Sequence, residues 1–299
     1  MKLTAVEMFA GAGGSALGLK EAGYYSLGAI EMWDTAVKTL KAAGFPAVEG
    51  RVEEPEIVAD IERRVKRTNR QLDLLWASPP CQPYSSSGLR LGEVDTRDGW
   101  GATLMYVVKL RPRVVIIENV KDAPVEAWAR AVKGEGNYPH AGVFLLKSSE
   151  FGDAQVRPRA FVYAGPAPLD EFLAAVKHHQ LPARTVADAL PHLAGHYVRA
   201  EQTTGKARST AEACPSLTTK GNLYVHKIDI GVRHVGYRVN REISRRATIP
   251  EFAVLQGFPT DYPFHGKVDE RYRQIGNAVS PAVARAIGLG VREILAKYK

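Results

Sequence analysis

The chain has 299 residues, 45% of them hydrophobic and 24% charged, with only two cysteines; this excludes a disulfide framework and leads us to expect a reducing, cytoplasmic setting. No apolar run reaches the roughly 18 residues a membrane span needs, and the opening MKLTAVEMFAGAGG lacks the features of a signal peptide, so a membrane or secreted protein is not expected. The formal net charge of +8 favours a polyanionic partner, because neutralising phosphates releases condensed counterions. The excess gathers at Arg184, Arg199, Lys206, Arg208, Lys220, Lys227, Arg233, Arg238, Arg241, Arg245 and Arg246, which reads as an electrostatic footprint on the C-terminal half or, more blandly, as a solvated surface.

In chain order, Ala5–Phe9 reads as a buried strand, followed by a Gly-rich turn and a helix over Ser15–Ala22. Ser26–Ile30 is a second strand, Asp34–Ala43 and Glu54–Arg67 are helices, and Leu72–Ala77 and Val114–Ile117 are further strands. Strands alternating with helices predict βαβ units, a mostly parallel sheet covered on both faces and hence an α/β, Rossmann-like fold. Pro79–Gly101 is rich in Pro, Ser and Gly without apolar periodicity, and a long loop of this kind inside a compact domain is usually functional. Ala160–Ala164 is a strand, Asp170–His178 and Thr185–Leu190 are short helical pieces, Gly195–Val239 is basic and rich in β-branched residues, and Pro281–Leu295 is a closing amphipathic helix. We therefore expect a large domain over 1–189, a smaller lobe over 190–269 and a return to the large domain over 270–299.

Four constellations carry chemistry. Glycines in Glu7-Met-Phe-Ala-Gly-Ala-Gly-Gly14 let the backbone turn sharply and bring a ligand to the start of a helix. Glu31, one strand later, has the placement of an acid that accepts ribose hydroxyls, and Asp60-Ile61 is a candidate adenine contact; together these point to a nucleoside cofactor without identifying it. Ser78-Pro-Pro-Cys-Gln-Pro-Tyr-Ser85 lies just past a strand end, where ligands bind in open α/β sheets, so Cys81 reads as a nucleophile, whereas Cys214 reads as a buried small hydrophobe. Glu118 closes a buried strand, where desolvation raises a carboxyl pKa toward that of a proton donor. Alternation in Gln155-Val-Arg-Pro-Arg159 places Arg157 and Arg159 on one face, able to hold a carbonyl oxygen or a phosphate. His178-His179 lacks further ligands at metal spacing, so no metal site is expected.

The order of these motifs resembles the DNA (cytosine-5) methyltransferase family. The likeness runs through Phe9-Ala-Gly-Ala-Gly-Gly14, Glu31, Asp60, Pro79-Pro-Cys-Gln82, Glu118-Asn-Val120 and Gln155-Val-Arg-Pro-Arg159. It continues through Thr248-Ile-Pro-Glu251, Leu255-Gln-Gly-Phe-Pro259 and Gln274-Ile-Gly-Asn-Ala-Val279, nearly the whole chain. Departures are Glu7 for the usual Asp, Ala154 for a frequent proline, a partial match around Arg97-Asp98-Gly99, and a short recognition region.

The resemblance implies methyl transfer from S-adenosyl-L-methionine to carbon 5 of cytosine, with base flipping and Cys81 attacking carbon 6. It implies a cofactor site of Phe9, Gly11, Gly13, Glu31, Asp60, Ile61, Asn277 and Val279. It implies that Cys81, Glu118, Arg157 and Arg159 are catalytic, with Gln82, Ser85, Arg208, Lys220 and Arg233 on double-stranded DNA. A monomer with a cognate restriction enzyme is the implied setting. The alternatives are a tRNA cytosine-5 methyltransferase on the same core, a DNA-binding module that kept only the fold, and a nicotinamide dehydrogenase, which leaves Pro79-Pro-Cys-Gln82 unexplained.

Overall fold

The computed structural model describes residues 2–80, 99–200, 208–219, 221, 223–226 and 244–298. Cys81, Gln82, Ser85, Lys220 and Arg233 therefore lie outside the described residues.

The strand-like apolar runs pair into one seven-stranded sheet. Its strands are β1 (Thr4–Met8), β2 (Tyr25–Glu31), β3 (Ala47–Glu49), β4 (Leu74–Ala77), β5 (Val114–Asn119), β6 (His140–Lys147) and β8 (Pro158–Gly165), in the order β3-β2-β1-β4-β5-β8-β6. The first five are mutually parallel, and β8 runs antiparallel to both neighbours. β4 and β5 are buried at every position, as an unbroken Val/Ile/Leu run must be when helices cover both faces.

Helices α1 (Gly14–Glu21), α2 (Asp34–Ala42), α3 (Pro55–Lys66), α4 (Trp100–Leu110) and α5 (Val125–Glu135) fill the crossovers, and α6 (Leu169–Lys177) follows the last strand, β8. One face of the sheet packs Ala5, Leu74, Trp76 and Ile116 against Leu19 of α1, Val176 of α6 and Ile287. The other packs Val6, Met8, Leu75 and Ile117 against Ile61 of α3, Val107 of α4 and Trp128 of α5. The order reverses between β1 and β4, so the crevice beyond their carboxyl ends is where an open α/β sheet takes its ligand.

The rest of the chain forms a second assembly. β9 (Tyr197–Ala200), β10 (Arg208–Ser209), β12 (Leu223–His226) and β13 (Ser244–Arg246) make an antiparallel sheet in the order β10-β9-β12-β13. It shares a core with α7 (Val186–Ala189), α8 (Ile249–Leu255) and α9 (Val268–Asn277), drawing in Val186, Val198, Val225, Phe252 and Tyr272. The two-residue strands β7 (Gln155–Val156) and β11 (Cys214–Pro215) pair in parallel, joining this assembly to the strand that leads into β8.

Finally α10 (Pro281–Lys297), capped by the Ser280 hydroxyl accepting from the Val283 N–H at 3.2 Å, returns to the large sheet. Glycine permits its close approach to α1: a Cβ at Gly14 would overlap the Val279 carbonyl, and one at Gly18 the Pro281 carbonyl.

Candidate active site

The Gly-rich turn begins with a strained residue. Phe9 has φ 55°, a left-handed conformation uncommon for a bulky side chain, and Gly11 and Gly13 follow at φ 54° and 90°. The Ala10 N–H then bonds the Ile30 carbonyl at 3.0 Å, folding the turn over the end of β2. A Cβ on Gly11 would meet no heavy atom within 4 Å, so this glycine faces open space at the crevice, while one on Gly13 would press on Leu40 and Tyr262.

Glu31, at the tip of β2, anchors the turn. Its Oε2 accepts from the Gly11 N–H at 2.8 Å, and its Oε1 accepts from Met32 and Trp33 N–H at 2.9 and 2.8 Å. A carboxylate offers about four acceptor positions, so one remains on Oε2 for a hydroxyl. Val279 stands against Gly14, and Asn277 is exposed two residues before it, at the end of α9.

Asp60 and Ile61 are not brought to this crevice, which corrects the expectation for both. They lie within α3. Ile61 is fully buried against Gly28 of β2, and both Asp60 oxygens are taken by guanidinium groups, Arg63 at 3.1 Å and Arg64 at 2.7 Å. The segment beside Glu31 is the turn at Gly50, whose N–H bonds the Glu31 carbonyl at 3.1 Å. The three-residue strand β3 that carries it is too short to betray itself by periodicity.

At the neighbouring strand tips, the Asn119 Nδ2–H donates to the Pro79 carbonyl at 3.1 Å, fixing the main chain two residues before Cys81. Glu118 is buried, and its Oε1 pairs with Arg159 Nε at 3.1 Å. Burial pushes the Glu118 carboxyl up from its usual range, opposed by the charges of Arg159 and Arg157 and by the Ser78 hydroxyl. The result is a desolvated acid between strand ends, backed by a guanidinium, able to hold or share a proton with a ring nitrogen.

Arg157 requires a second correction. It and Arg159 border the same small crevice as Val279 and Ser280. Arg157 is nonetheless buried, with Nη1 on the Leu217 carbonyl at 2.9 Å and Nη2 on the Gly276 carbonyl at 2.7 Å. It braces the site; Arg159 is the arginine whose charge meets the acid directly.

Two buried glutamines that the motif reading leaves without a role complete this brace. Gln155 accepts from the Leu217 N–H at 2.7 Å and donates to Gln256 Oε1 at 2.7 Å, and Gln256 donates to the Ala278 carbonyl at 2.7 Å. Asp153, held by burial at a pKa of about 7, accepts from the Ser280 hydroxyl at 2.5 Å. Cys214 is fully buried with its thiol pushed up to about 12, the state of an inert core cysteine.

The basic cluster divides. Arg245 makes paired bonds to Glu251 at 2.6 and 2.7 Å, Arg246 stacks on the Tyr272 ring at 3.6 Å and bonds the Gly221 carbonyl, and Arg184 bonds the Asp188 carbonyl. These three are internal ties of the fold, whereas Arg208 on β10 is exposed.

The sequence profile of C-5 cytosine-specific DNA methylases matches residues 3–222 and 204–292. The Type II methyltransferase M.NgoMIV of Neisseria gonorrhoeae is 28% identical over 320 residues, spanning 99% of both chains. The Type II methyltransferase M.NaeI of Lentzea aerocolonigenes is 29% identical over 323 residues, spanning 98% of this chain and 75% of that one. Among solved structures, the Entamoeba histolytica methyltransferase EhMeth superposes with a TM-score of 0.73 at 16% identity over 99% of each chain. The S. pombe Dnmt2 methyltransferase superposes at 0.67 with 17% identity, again over 99% of each. The structural likenesses establish the fold.

Proposed function

Because the chain belongs to the C-5 cytosine-specific DNA methylase family, we propose that it methylates carbon 5 of a flipped cytosine in duplex DNA, with Cys81 as nucleophile. The observation that carries the catalytic assignment is the buried Glu118–Arg159 pair at the tips of β5 and β8, beside the Pro79 carbonyl pinned by Asn119.

S-adenosyl-L-methionine, when bound, supplies the methyl group; the open face at Gly11 and the unused position on Glu31 suit its nucleoside. The Cys81 thiolate adds to carbon 6 of the cytosine, pushing electrons toward carbon 5, which takes the methyl. Glu118 holds the proton at N3, and Arg159 stabilises charge at O2. A base then removes the carbon 5 proton, the C5–C6 double bond re-forms, and the thiolate leaves. None of this fits inside a stacked duplex, hence the flipping.

We assign 1–189 and 270–299 to the catalytic domain and 190–269 to target recognition, with Arg208 and the basic residues 220 and 233 on DNA. Phe9, Gly13, Asn277 and Val279 complete the cofactor site. The Type II names of the bacterial relatives support a setting with a cognate restriction enzyme, and we take the enzyme to act as a monomer in the cytoplasm of a prokaryote or on behalf of a phage. The same relatives and the family match favour DNA over tRNA as substrate.

The test is a trap. Duplex DNA with 5-fluorocytosine throughout, incubated with enzyme and S-adenosyl-L-methionine, is expected to form a stable adduct, because fluorine on carbon 5 cannot leave as a cation. Mass spectrometry should place the adduct on Cys81. An adduct on Cys214, or methylation by Cys81→Ala, overturns the assignment.

A further inference from the structure

We propose that Asp153 is a positioning residue for cofactor binding: by accepting from the Ser280 hydroxyl, it holds the segment that carries Asn277 and Val279 to the Gly-rich turn. This rests on the assignment of Asn277 and Val279 to the cofactor site made above.

The geometry follows from an alternation in the link between α9 and α10. The backbone is extended at Ala278 (φ −62°, ψ 145°) and at Ser280 (φ −60°, ψ 125°), so successive residues face opposite ways. Three alternate residues are held from behind. The Gly276 carbonyl accepts from Arg157 at 2.7 Å, the Ala278 carbonyl from Gln256 at 2.7 Å, and the Ser280 hydroxyl donates to Asp153 Oδ2 at 2.5 Å. The residues between them face the other way: Asn277 is exposed, and the Val279 carbonyl lies against Gly14 at the start of α1, where a Cβ would overlap it.

The third tie differs from the other two. Arg157 and Gln256 grip main-chain carbonyls, whereas Asp153 grips a side chain that is also a helix cap. Ser280 Oγ accepts from the Val283 N–H at 3.2 Å and so fixes the first turn of α10 with the same atom. Asp153 is itself held in place. It follows Gly152, whose φ is 90°, and the carbonyl of the next residue, Ala154, accepts from the Cys214 N–H at 2.8 Å. Its Oδ1 rests against Gly257, just past α8, where a Cβ would stand 2.9 Å away. The carboxyl therefore joins three chain segments, around residues 153, 257 and 280.

Asp153 and Ser280 are both buried, so solvent offers neither a ready substitute partner. Without their bond, Val279 is tied on one side only, through Ala278. Binding a ligand against Asn277 and Val279 must then restrict a looser segment, and that ordering is subtracted from the affinity.

The experiment is calorimetric titration of S-adenosyl-L-methionine into the full chain, with thermal midpoints alongside. Asp153→Ala and Ser280→Ala are each expected to weaken binding about five- to tenfold, the scale of one lost hydrogen bond. The double variant should bind no more weakly than the weaker single variant, because both remove the same bond. Asp153→Asn should stay within about twofold of wild type, since its carboxamide oxygen can still accept from Ser280. Ser280→Ala, a small change that also removes the cap of α10, carries the test if Asp153→Ala does not fold. Unchanged affinity in the single variants, with only the thermal midpoint lowered, overturns the proposal. So does a double variant in which the two losses multiply, or an Asp153→Asn variant that binds as weakly as Asp153→Ala. Asn277→Ala run in parallel separates the two ideas. If it weakens binding while Asp153→Ala and Ser280→Ala do not, the positioning role alone fails; if it binds as wild type, the assignment of the segment to the cofactor site fails and the positioning role with it.

Discussion

The Tyr262 hydroxyl donates to the carbonyl of Ala12 at 2.6 Å, joining residues 250 positions apart. Tyr262 sits in an aromatic cluster with Phe258 and Phe264, ring centroids 4.7 and 4.9 Å away. The segment after α8 thus holds the Gly-rich turn from behind, where Gly13 leaves no space for a side chain.

Tyr262→Phe keeps the ring packing and removes this one bond. We expect S-adenosyl-L-methionine affinity to fall about fivefold, the scale of a net 1 kcal/mol hydrogen bond, with little change in thermal midpoint. Calorimetric titration of the cofactor checks it; unchanged affinity would show that the turn keeps its shape unaided.

Glu31 holds three backbone N–H groups before any ligand arrives. Glu31→Ala should therefore weaken cofactor binding roughly tenfold or more and also lower the thermal midpoint of the cofactor-free protein, since hydrogen bonds to a charged group contribute about 1.5–3 kcal/mol each. Titration together with a thermal scan reads both effects, and a loss of affinity without any loss of stability would argue against the anchoring role.

Arg157 and Arg159 should separate kinetically. Arg157→Ala strands two buried carbonyls and is expected to cost roughly 3–5 kcal/mol of stability. Arg159→Ala, at a more open position, should leave the fold nearly intact while lowering kcat by about 10²–10³. Denaturant titration and single-turnover kinetics on the same preparations give the comparison; equal destabilisation by the two variants would refute the division of labour.

Glu7 is fully buried in β1, accepts from the Ser26 hydroxyl at 2.8 Å, and has its pKa raised by burial to about 7. The folded state therefore holds this proton more tightly than the unfolded chain. Its contribution to stability is complete below the ordinary glutamate pKa and is lost as pH rises through 7. A shift of this size corresponds to about 3 kcal/mol. Glu7→Gln should flatten the decline of the urea midpoint between pH 5 and 8; a decline as steep as wild type would assign it to other groups, Asp153 foremost.

The sequence by itself determined the parts of this protein that depend on local pattern and order. The unbroken Val114–Ile117 run required a strand covered on both faces, and the structure puts it inside the sheet, next to the central strand β4. The glycines at 11 and 13 allowed a sharp turn, and the structure makes it with left-handed backbone at both. The structure sets Glu31 under the turn and Glu118 beside Arg159, contacts that motif order alone does not state. Tertiary structure decided what a side chain spends its hydrogen bonds on. Arg157 and Arg159 look equivalent in an alternating strand, yet Gly276 and Leu217, distant in sequence, claim one of them. Asp60 reads as a free acid until Arg63 and Arg64 close on it along the same helix, and Ile61 as a ligand contact until Gly28 lets it sink into the sheet. Pattern encodes which face a residue takes. Which of its polar atoms are already satisfied depends on carbonyls and N–H groups that only the folded chain brings within 3 Å.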